Sequence, residues 1–109
     1  MTALELLREA KRLIEEKGWT QGDFARNSRG NGVSVVSRTA TCFCAFGALQ
    51  ANAVGHAASY IAACDILEAC LPEKSVVSYN DHPTTTKADI LALYDRAIER
   101  AERMETTGA

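Results

Sequence analysis

The chain has 109 residues, 47% apolar and 24% charged, with two prolines and a net charge of −2, the balance of one globular domain rather than a disordered tail or a fibre. Its apolar stretches fall far short of the roughly 20 residues that span a bilayer, and no basic-then-apolar leader opens it, so no membrane role and a cytoplasmic setting are expected. The charge is uneven: Phe24 to Cys64 contains no acidic residue but three arginines, Arg26, Arg29 and Arg38, which gives that stretch +3 and the remainder −5 and predicts one positive surface.

Thr2 followed by Glu5 has the spacing of a capping box, and Leu6, Leu7, Ala10, Leu13 and Ile14 then recur on one helical face. This first helix is expected to run to about Lys17, with Gly18 as its left-handed stop and Trp19 folding back over the last turn. Phe24 to Val36 carries Asn-Ser-Arg-Gly-Asn-Gly between short β-prone runs and reads as an irregular hairpin with an exposed tip. From Thr41 the run Cys42-Phe43-Cys44-Ala45-Phe46-Gly47-Ala48-Leu49 is apolar on every side, which predicts a central helix buried nearly all round.

Gly55 and His56 interrupt the pattern before a helix from Ser59 to Leu71, with Ile61, Ile66, Leu67 and Cys70 available to the core and Pro72 as the stop. Val76 to Pro83 reads as β-prone and then turn-like. Thr85 or Thr86 is expected to cap the last helix, whose start Asp89 favours. Ile90, Leu91, Tyr94, Ala97, Ile98 and Ala101 form its apolar face. The fold predicted is mainly α with a small β-hairpin: a compact bundle of about four helices around a buried, Ala- and Cys-rich central one. Residues 1–103 make one globular domain and 104–109 a disordered tail.

Cys42, Cys44, Cys64 and Cys70 are four cysteines in a short chain, but their Ala-rich, apolar surroundings suit reduced core thiols better than a disulfide framework. As a metal pair Cys42 and Cys44 are poorly spaced, because two residues on a helix rotate by about 200° and send the sulfurs to opposite sides. A nucleophilic site would use Cys42 at a helix start with His82, beside Asp81, as base. No family-specific catalytic signature surrounds these residues. The Asn80-Asp81-His82-Pro83 turn is polar enough to hold a ligand, and the competing account is turn chemistry, in which Asn and Asp bond their own backbone. Trp19 either anchors a partner or closes the core. Arg26 and Arg29 flank a flexible tip able to approach phosphates, yet few cations and no interleaved aromatics make a weak nucleic-acid footprint.

Trp19-Thr20-Gln21-Gly22, the Cys42 to Leu49 run and Tyr79-Asn80-Asp81 with a closing amphipathic helix together resemble an uncharacterised family of small bacterial and phage proteins. The resemblance covers most of the chain. In it Tyr79 stands where tryptophan is usual. It implies the fold and a bacterial or phage origin, and it carries over no activity and no catalytic residue.

With no catalytic residue, metal or cofactor assigned, the function expected is that of a small non-enzymatic binding or regulatory protein. It would act by contact with a larger host protein or complex, for instance as an inhibitor of a host defence complex such as an anti-CRISPR. Arg26, Arg29, Arg38, Trp19, Tyr79, Asn80, Asp81 and His82 are the candidate partner-binding residues. The alternatives are nucleic-acid or phosphate binding through the arginine-bearing hairpin, and a cysteine-dependent hydrolase.

Overall fold

A computed structural model describes residues 1–73 and 75–107. The first helix, α1 (Ala3–Glu16), begins at a capping box in which the Thr2 hydroxyl accepts from the Glu5 N–H and the Glu5 carboxylate from the Thr2 N–H. It buries Leu4, Leu6, Leu7, Ala10 and Ile14 and packs on three other helices. Gly18, at φ +141°, turns the chain where a side chain would be strained.

The strands β1 (Ala25–Arg26) and β2 (Cys42–Phe43) pair antiparallel, Ala25 opposite Phe43 and Arg26 opposite Cys42. The irregular hairpin expected within Phe24 to Val36 is present, with Arg26 bridging Gly32, the Val33 N–H donating to the Ala25 carbonyl at 3.0 Å and the Asn27 N–H to the Asn31 carbonyl at 2.9 Å; the β1–β2 pairing closes a wider loop over residues 27–41 around it. The Asn27 side chain organises the tip by accepting from the N–H groups of Arg29 and Asn31, which is Asx-turn chemistry. Gly18 and Thr20 bond Phe43 from its other side.

This pairing shortens the predicted central helix. Cys42 and Phe43 are claimed by the ladder and Cys44 becomes the N-cap, so α2 (Ala45–Asn52) starts at Ala45. Its Ala45, Gly47, Ala48 and Leu49 are buried, as the all-round apolar pattern requires.

The next helix, α3 (Ala57–Ala69), begins two residues earlier than Ser59 and buries Ala63, Ile66 and Leu67. Ile61, expected in the core, is 60% exposed. Val76 to Asp81 is not extended but a short helix, α4 (Val76–Asp81), capped by the Ser75 hydroxyl accepting from the Ser78 N–H. The cap and the placing of Val76 and Asn80 on one buried side override the β preference of two valines.

The last helix, α5 (Lys87–Thr107), starts at a second capping box, with Thr86 and Asp89 exchanging bonds. Leu93 joins Ile90, Tyr94, Ala97 and Ala101 in the core. The helix runs on from Arg103 to Thr107, through residues expected to be disordered; 108 and 109 lie outside the described residues. Among the described residues, five helices with one small β-hairpin make the fold, α1 lying against α2, α3 and α5. Among the described residues no helix is long and apolar enough to cross a membrane.

Candidate functional site

The three short motifs, far apart in sequence, meet in space, and Asn80 is the residue that joins them. Its Oδ1 accepts from the Trp19 indole N–H at 2.7 Å and from the Ala45 backbone N–H at 2.9 Å. Its Nδ2 donates to the Thr20 carbonyl at 3.1 Å and to Asp81 Oδ1 at 2.9 Å. Only 1% of Asn80 is exposed. Apart from the bond to Asp81, its side chain bonds distant segments and none of its own turn's backbone, so the turn-chemistry reading fails for this residue.

Neighbouring bonds complete the lock. Gln21 donates from Nε2 to the carbonyls of Asn80 and His82, each at 2.9 Å, and the Gly22 N–H donates to Asp81 Oδ1 at 3.0 Å. Tyr94 donates its hydroxyl to the Ala45 carbonyl at 2.5 Å, so the first residue of α2 is held from both its N–H and its C=O. Trp19 serves this lock and packs against the core. Tyr79, half-buried, packs there too.

Beside the lock lies a cleft of about 190 Å³ whose apolar wall is Phe24, Phe46 and Val77 and whose polar side carries Asp23, Cys44 and Asp81. Phe24 and Val77 are exposed despite being apolar. Asp23 is engaged by Arg26, with Nε 2.9 Å from Oδ2. Asp81 spends Oδ1 on the lock and leaves Oδ2 without a donor among the described residues.

The arginines divide. Arg26 is half-buried and taken up by Asp23 and, at 3.5 Å, by the Gly30 carbonyl, because the acid just ahead of the acid-free stretch folds back on it. Arg29 and Arg38 are exposed on the 27–41 loop. The positive surface therefore rests on two cations rather than three. His82 is exposed, with Nδ1 accepting from the Thr84 N–H at 3.2 Å.

The cysteine at the helix start is Cys44, not Cys42. Cys42 sits in β2 with Sγ 3.8 Å from the Arg26 carbonyl, and no hydrogen bond joins it to His82 among the described residues. Cys44 Sγ accepts from the Gly47 N–H at 3.2 Å. Such a bond favours the thiolate, but burial outweighs it and raises the Cys44 thiol above its ordinary range. All four cysteines are free thiols. No group of three or more His, Cys, Asp or Glu among the described residues is placed to hold a metal ion.

Cys44 is accordingly expected to alkylate with iodoacetamide at neutral pH more slowly than an unfolded control, as followed by peptide mass spectrometry. Burial raises Tyr94 in the same direction. The unfolded chain sheds both protons at lower pH than the folded one, so folding stability falls as pH climbs past the ordinary thiol and phenol values. The neutral range is untouched by these two groups.

A family model described as "Family of unknown function (DUF6197)" matches residues 1–100. No curated protein and no solved structure matches the chain.

Proposed function

We propose that this chain, which belongs to the DUF6197 family of unknown function, is a non-enzymatic binding module that recognises a lysine or arginine side chain of another protein in the cleft beside Asn80. The observation that carries the reading is the cleft's make-up: exposed apolar walls at Phe24 and Val77, and an Asp81 carboxylate oriented by the Gly22 N–H with one oxygen left over. A long cationic side chain matches both, its methylenes lying on the apolar wall and its charge reaching the free oxygen. The raised Cys44 thiol beside the cleft weighs against nucleophilic use.

Arg29 and Arg38, exposed on the 27–41 loop, would offer cations to acidic groups of the same partner. The resemblance to small bacterial and phage proteins supports a bacterial or phage setting, and four free thiols suit a reducing cytoplasm. In such a setting the module would alter the action of a larger host complex, a defence complex being the concrete candidate.

Peptide display tests the recognition directly, with selection on the protein and counter-selection on Asp81→Asn. That variant keeps an acceptor for the Gly22 N–H and removes the charge. Enriched peptides are expected to share a lysine or arginine and to bind Asp81→Asn at least about tenfold more weakly, the size of one lost charge-assisted bond. Enrichment without a shared cation, or equal binding to the variant, defeats the reading.

A further inference from the structure

The chain has four asparagines, and three of them have their side chains engaged. Asn80 spends its amide on the lock. Asn27 accepts at Oδ1 from the Arg29 and Asn31 N–H groups, each at 3.0 Å, and Asn52 donates from Nδ2 to the Ala48 carbonyl at 3.1 Å on α2. The Asn31 side chain is exposed and has no hydrogen-bond partner among the described residues.

The residue that follows sets Asn31 apart as well. Ser28, Ala53 and Asp81 each bring a Cβ beside the main-chain nitrogen after their asparagine, whereas Gly32, after Asn31, brings none. Gly32 is itself exposed, and its N–H has no acceptor among the described residues. The bonds of the small hairpin pass on either side of it, from the Asn27 N–H to the Asn31 carbonyl at 2.9 Å and from the Val33 N–H to the Ala25 carbonyl at 3.0 Å. An unhindered, unbonded main-chain nitrogen thus stands next to an unbonded carboxamide, at an exposed tip that opens more readily than the core.

We propose that Asn31 is a self-modification site, where the side chain closes onto the Gly32 nitrogen and reopens as an aspartyl or isoaspartyl residue. Hydroxide takes the Gly32 amide proton, and the electron pair left on nitrogen attacks Asn31 Cγ. The N–Cγ bond forms, the Cγ–Nδ2 bond breaks, and Nδ2 leaves as ammonia after taking a proton from water. Water then opens the cyclic imide at one of its two carbonyls. Opening at Cγ restores the ordinary main chain with an aspartate; opening at the main-chain carbonyl leaves the chain running through Cβ. Water and its hydroxide are the only co-reactants.

Either product adds a carboxylate to the loop that carries Arg29 and Arg38 and lowers the charge of the Phe24 to Cys64 stretch from +3 to +2. The isoaspartyl form also adds one carbon to the main chain just before Gly32, so the bridge between Arg26 and Gly32 loses its register. An acid-free, cationic loop becomes one of mixed charge as the protein ages.

The test incubates the full chain at mildly alkaline pH and follows it by peptide mass spectrometry, isoaspartyl methyltransferase labelling and anion-exchange elution. Isoaspartate is expected at position 31, with Asn27, Asn52 and Asn80 intact, together with a later-eluting species that Asn31→Asp matches. Gly32→Ala should slow the conversion severalfold, because its Cβ shields the nitrogen. That Cβ would meet only the Asp23 carboxylate, with Oδ1 at 3.0 Å, the movable end of a side chain, so the variant keeps the fold, which circular dichroism verifies. An Asn31 that stays intact for as long as a free peptide of residues 25–34 takes to convert overturns the proposal. So does conversion of Asn27 as fast as that of Asn31, or an unchanged rate in Gly32→Ala.

Discussion

Asn80→Ala is expected to destabilise the fold by about 4 kcal/mol, read as a shift of the urea midpoint at unchanged slope. The figure follows from what the amide does. Its removal strands the Trp19 indole N–H, the Ala45 N–H at the buried start of α2 and the Thr20 carbonyl, and each stranded buried group costs about 1–3 kcal/mol. Trp19 and Thr20 are half-buried and recover part of their loss through water, which keeps the total well below the upper bound. Against a stability of about 5–15 kcal/mol for a domain of this size, the loss is a large fraction of the whole.

Asn80→Asp separates hydrogen bonding from shape. The carboxylate still accepts from Trp19 and Ala45, but it has no N–H for Thr20 and sets a second charge against Asp81 Oδ1, 2.9 Å from the present Nδ2. Its loss should approach that of alanine at neutral pH and shrink as acid protonates the pair. If both variants unfold at the wild-type midpoint, the motifs are not locked through Asn80.

The same residue marks where sequence reading succeeds and where it stops. The first capping box was legible because the signal is local: a hydroxyl and a carboxylate three residues apart fix each other whatever the rest of the chain does; at α5 the sequence left Thr85 and Thr86 both open as the cap, and the structure gives the box to Thr86 with Asp89. The apolar stripes of α1 and α5 were legible for a similar reason, their period of about 3.6 residues being a property of the helix alone. Asn80 belongs to the opposite kind. Its partners lie 61 and 35 residues away, so nothing nearby separates a buried Asn from a turn Asn.

The misread start of α2 has a long-range cause. Cys42 and Phe43 are apolar enough for a helix, and what draws them into β2 is a pairing with Ala25 and Arg26 at long range. Once the ladder takes them, the thiol at the helix start becomes Cys44. Arg26 likewise looked free because its counter-ion, Asp23, sits one residue outside the acid-free window. The cleft was half legible: Asp81 was marked as a candidate, while its walls at Phe24, Phe46 and Val77 come together only through β1, α2 and α4.

Gly47→Ala should be the most damaging single-methyl change in the molecule, with an expected loss above about 3 kcal/mol. Helix propensity alone argues the other way, since alanine in place of a helical glycine gains about 1 kcal/mol. Contact geometry decides between the two. A Cβ at Gly47 would stand 1.9 Å from the Phe24 carbonyl oxygen and 2.7 Å from its carbon, and both are backbone atoms that no rotamer change can move aside. That oxygen also accepts from the Cys44 N–H at 3.0 Å. Relief of the clash therefore has to push β1 away from the start of α2, breaking the N-terminal bond of the junction and opening the cleft beside it.

Gly30→Ala supplies the control. At φ +81° with nothing within 4 Å, it tests left-handed strain by itself, for which about 1–2 kcal/mol is expected. Parallel urea titrations should rank the pair with Gly47→Ala the weaker by a clear margin. A Gly47→Ala protein as stable as wild type would mean that the Phe24 carbonyl does not approach α2 closely, and that this approach does not hold the Phe24 wall of the cleft in place.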